Sequence, residues 1–102
     1  MSARANAARG EAAIVVDGES LVLRPTFEAL VAAEEELGPL FAFVERAAAG
    51  GLKLSEMVAL FWHCSGGRVS RERIGTAVAE GGLARATPAL RVLLGQILQG
   101  RG

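Results

Sequence analysis

In 102 residues there is one cysteine, one histidine, one lysine and no tyrosine. The lone Cys64 excludes an internal disulfide. The lone His63 is the only side chain able to shuttle a proton in a serine–histidine–acid system. Its neighbour is Cys64, but successive helical residues diverge by about 100°, so two such residues in one helix do not form a nucleophile–base pair. One Cys and one His cannot supply the four ligands of a structural zinc site. No G-x-x-x-x-G-K-[ST] or strand-linked G-x-G-x-x-G pattern is present to cradle phosphate. Apolar runs are short: the longest, around 57–64, contains His63 and is about half of the ~18–20 residues a membrane span requires. Residues 1–10 carry two arginines with no apolar stretch behind them, unlike a secretory leader. The expectation is a soluble, cytoplasmic protein that is not an enzyme, uses no cofactor or metal, and acts on neither membrane nor nucleic acid.

Net charge is also lacking, since 11 basic residues balance 11 acidic ones. The balance is global and not local. Residues 11–56 hold nine acids against three bases, and residues 57–102 hold two acids against six arginines. Such a split is able to orient a partner or a second copy, although solvated faces account for it as well. Arg68, Arg71 and Arg73 cluster near one predicted helix start, but no wider basic stripe or set of stacking aromatics accompanies them. Glu34, Glu35 and Glu36 fan over about 200° of a helix, too wide for oxygens converging on a cation. Glu35 and Glu36 read as a solvated face, and Glu34 as flanking the apolar stripe.

What the chain does have is apolar mass, 51% of its residues. That is enough for one packed domain without staples. Leu, Val and Ala should form most of the core, with Phe27, Phe41, Phe43, Phe61 and Trp62 as its large pieces. Residues 1–10 lack any period and read as a mobile N-terminal tail, leaving 11–99 as a single α+β domain. Asp17-Gly18 between two β-prone runs predicts a hairpin. In its second strand Leu21 and Leu23 should share one face, with Ser20, Val22 and Arg24 on the other. Thr26 is the expected cap of a first helix whose stripe is Phe27, Leu30, Val31 and Leu37. Gly38-Pro39 ends it, and a second helix follows over 40–49. Ser55 is the expected cap of a third, over 56–64, apolar on most sides and so central or covered by a partner. Ser70 should cap a fourth, carrying Ile74, Ala77 and Val78. Thr87 and Pro88 should open a fifth, whose stripe is Leu90, Leu93, Leu94, Ile97 and Leu98. The predicted architecture is an N-terminal β-hairpin packed on a compact bundle of about five short helices.

The opening combines Arg9-Gly10-Glu11, Val15-Val16-Asp17-Gly18, Leu21-Val22-Leu23-Arg24-Pro25-Thr26, Phe27-Glu28-Ala29-Leu30 and Glu34-Glu35-Glu36-Leu37-Gly38. Later come Leu54-Ser55, Val69-Ser70-Arg71-Glu72-Arg73-Ile74-Gly75 and Pro88-Ala89-Leu90. Over roughly residues 9–98 this resembles the gene transfer agent family of phage-derived proteins, related to the tail assembly chaperones of tailed phages. The resemblance implies a role in building a phage-like tail, with a tail tube or tape-measure protein as partner and homo-oligomers possible. Family names also include tail tube protein. A tube subunit is expected to close sheets with its neighbours, whereas this chain offers one short hairpin. The expected function is therefore a tail assembly chaperone. A structural tail component is the alternative, and a small nucleic-acid-binding regulator the second. Phe61, Trp62, Leu90, Leu93, Leu94 and Ile97 are the candidates for core or partner contacts.

Overall fold

The computed structural model describes residues 5, 6 and 9–100. Residues 1–4, 7 and 8 of the expected tail lie outside the described set. Asn6 is held by the domain: its N–H donates to Glu11 Oε1 at 2.9 Å, and its carbonyl accepts from the Glu11 N–H at 3.0 Å.

Strand β1 (Ala12–Val16) and strand β2 (Glu19–Leu23) form an antiparallel two-stranded sheet. Asp17 and Gly18 join them with φ of 53° and 79°. Positive φ at both central positions is the type I′ turn that matches strand twist, and Asp and Gly tolerate it. The turn sets the register, Val16 opposite Glu19 and Ala12 opposite Leu23. Ala12, Ile14, Val16, Leu21 and Leu23 thereby share the face that joins the core.

Val22 lies on the face opposite Leu21 and Leu23, as expected, yet it is only 1% exposed. The free edge of this strand is tied to the end of the third helix and the turn after it. Arg68 Nη2 donates to the Val22 carbonyl at 2.6 Å, and the Arg24 N–H donates to the Cys64 carbonyl at 2.8 Å.

Five helices follow: α1 (Phe27–Leu37), α2 (Leu40–Ala48), α3 (Leu54–Cys64), α4 (Arg71–Gly81) and α5 (Leu83–Gln99). Thr26 caps α1 and Ser70 caps α4, each hydroxyl accepting the N–H three residues on. α3 is the central piece: Met57, Val58, Ala59, Leu60, Phe61 and Cys64 are all buried, and it packs against α1 and α4. Its start differs from expectation. Lys53, not Ser55, is the cap residue, and the Glu56 carboxylate reaches back to accept the Lys53 N–H at 2.9 Å. With Glu56 at the third helical position bonded back to the Lys53 N–H, the helix starts at Leu54 and Ser55 falls within its first turn.

α5 departs further. It begins at Leu83, so Pro88 lies inside the helix and Thr87 is not its cap. The Thr87 hydroxyl instead donates to the Leu83 carbonyl at 2.7 Å. Leu83 to Thr87 is mostly good helix-forming sequence, and burial of Ala86 rewards its helical conformation.

In α1 the inward stripe is Leu30, Ala33 and Leu37. Phe27 and Val31 sit roughly 90–130° round the helix from that stripe at ~100° per residue. Phe27 is 80% exposed and Val31 is exposed as well.

Candidate protein-binding surface

Glu36 near the end of α1, Trp62 and His63 near the end of α3, and Arg71 at the start of α4 meet on one side of the bundle. Arg71 donates from both terminal nitrogens to the Glu36 carboxylate, each at 2.5 Å. His63 Nε2 lies 2.8 Å from Glu36 Oε1. The Arg71 guanidinium sits 4.5 Å from the centre of the Trp62 ring, a cation–π contact. The His63 ring meets Trp62 edge-on, with centroids 4.9 Å apart. The hydrogen bond from Arg71, then that from His63, holds the Glu36 carboxyl down at about 2. Glu36 is therefore a clasp between three helices and not part of an idle solvated face.

Glu34 also has a job that spacing did not suggest: its carboxylate accepts the Leu40 N–H at 3.0 Å, at the start of α2. Cys64 is buried, and burial pushes its thiol up to about 12, far from a reactive thiolate. Among the described residues no group of three or more His, Cys, Asp or Glu side chains draws together as a metal site. No helix among them is long and apolar enough to cross a membrane.

The six sequence candidates do not form one surface. Phe61 and Leu93 are wholly buried in the core. Leu90, Leu94 and Ile97 are half-buried against it. Trp62 is half-buried too, one ring face taken by Arg71 and an edge by His63, where it borders a surface cleft of about 680 Å³ between α1 and the α3–α4 turn. The apolar residues that do face outward are others: Phe27 and Val31 on α1, Phe41 on α2, Val15 on β1, Leu54 and Leu83 at helix starts, and Leu98. Phe27 and Val31 are four apart and adjacent on the helix surface. A strict angular count around α1 would have separated them from the inward stripe. The clasp left no such signal, because its members lie up to 35 residues apart.

In comparison with known proteins, the family model described as phage tail tube protein, GTA-gp10, matches residues 9–100. No curated protein and no solved structure matches the chain significantly.

Proposed function

The chain belongs to the phage tail tube protein family, GTA-gp10, and from that premise we propose that it acts by binding other proteins of a phage-like tail, as a structural component of the tail. The observation that carries this reading is the extent of the match, which takes in both strands and all five helices. The family description favours a tube-associated component over the assembly chaperone expected from sequence. A non-enzymatic role accords with the buried thiol of Cys64 and with His63 engaged by Glu36. Nucleic-acid binding gains no support from the arginines. Arg71 and Arg73 pair with Glu36 and Asp17, and Arg68 donates to backbone carbonyls.

A chaperone remains the second reading, favoured by the helix-rich architecture. Two strands in one hairpin are little with which to build a ring of sheets, whereas Phe27, Val31 and Phe41 offer apolar surface to a client.

Quantitative mass spectrometry of purified particles, set beside the lysate that produced them, separates the two. A tail component is retained in particles at a fixed ratio to the other tail proteins. A chaperone is abundant in the lysate and absent from particles. Normal particles from cells lacking the protein would refute both.

A further inference from the structure

The type I′ turn makes Val16 and Glu19 a hydrogen-bonded pair, and parity then fixes the rest of the sheet. Ile14–Leu21 and Ala12–Leu23 exchange hydrogen bonds, whereas Ala13–Val22 and Val15–Ser20 turn their N–H and C=O groups outward. On the β2 side Arg68 donates to the Val22 carbonyl and the Arg24 N–H donates to the Cys64 carbonyl, which ties the far part of that edge to the end of α3 and the turn after it. On the β1 side, among the described residues, nothing bonds the outward groups of Ala13 or Val15. Both residues are exposed, Val15 by 66%. Their edge opens onto a groove of about 520 Å³, bordered opposite by Ala77, Gly81, Arg85 and Ala86 from the end of α4 and the start of α5.

We propose that the β1 edge takes up an extended segment of a partner tail protein as a third, antiparallel or parallel strand. Alternating donors and acceptors over Ala13–Val15 require a partner backbone that is itself extended, about three to four residues long at ~3.4 Å per residue. The small groups opposite (Ala77, Gly81, Ala86) leave room for small or β-branched side chains at alternate positions of that segment, with Glu80 and Arg85 beside them. A lone strand suits the groove better than a second copy does. A second copy would bring to this edge a β1 bordered in the same way by its own α4 and α5, whereas an extended segment carries no such wall. The inference rests on the reading that the chain binds tail proteins and gives that contact its chemistry.

The test is selection of a displayed random-octapeptide library on the full chain, followed by amide exchange and NMR titration with the enriched peptides. The expected peptides slow exchange of the Ala13 and Val15 amides and lose at least tenfold in affinity when N-methylated at alternate positions. Ala13→Pro removes an outward N–H and no β1–β2 bond, so it should keep the fold and lose binding by a similar factor. Should it unfold the hairpin, exchange protection in the unmodified chain still decides. No enriched peptide, or peptides that leave the Ala13 and Val15 amides unprotected, would overturn the proposal. So would a concentration-dependent dimer that protects those amides without peptide. Particle composition tests the tail reading separately: peptides held at this edge by a protein irrelevant to particles would leave the edge and sink the tail.

Discussion

Glu36 shows how much one side chain ties together. With its carboxyl near 2 in the folded chain against the usual 4.5, the folded state prefers the ionised form. The stabilisation is therefore complete above about pH 4.5 and drains away as pH falls toward 2. Arg71 and Glu36 are both more than a third exposed. Solvent screening then limits the clasp to no more than about 1 kcal/mol. Thermal melts from pH 7 to pH 2 should show a fall in midpoint below pH 4.5 that is shallower in Glu36→Gln, which cannot titrate. Parallel curves for the two proteins would mean that the bonds from Arg71 and His63 do not form in solution.

At the scale of elements, α5 carries a testable defect. Pro88 has no N–H to return to the Ala84 carbonyl, and it lies six residues into the helix, beyond the first turn that tolerates proline. Pro costs about 3 kcal/mol relative to Ala in a helix interior, less up to ~1 for its stiffening of the unfolded chain. Pro88→Ala should raise stability by about 2 kcal/mol in urea titration, with an unchanged slope. A loss of stability would show that the ring positions α5 by packing. The same helix marks the limit of what sequence makes legible. The Asp17-Gly18 turn, the Thr26 and Ser70 caps and the inward residues of α4 were readable because each signal is local. Thr87-Pro88 is an equally familiar local start signal, overruled by the four helix-forming residues before it and by burial of Ala86. The burial of Val22 was not readable, since the arginine that bonds its carbonyl comes from 46 residues away. The clasp of Glu36, His63 and Arg71 was illegible for the same reason: its members are brought together by packing alone.

Across the whole molecule, the acidic first half and the basic second half complete one another. Glu36 pairs with Arg71 and Asp17 with Arg73, both across the divide. Within the acidic half, Glu11 pairs with Arg24 and Glu56 with Arg46. A charge pattern that sequence alone offered as a guide for partners is thus partly engaged inside the fold, while Glu19, Glu28, Glu35, Glu45, Arg85 and Arg91 stay exposed. Apolar side chain and strand edge face outward as well: Phe27, Val31, Phe41 and the β1 groups. Contacts of that kind weaken little with salt, whereas exposed ion pairs are screened within about 8 Å at physiological ionic strength. Tail proteins captured by the tagged chain from producing cells should therefore stay bound when salt is raised from 50 to 500 mM. Phe27→Ser should reduce their capture severalfold with the melting temperature unchanged, because Phe27 is 80% exposed and contributes little to the core. Elution at 500 mM salt, with Phe27→Ser binding as before, would assign the contact to charge and move the binding surface away from α1.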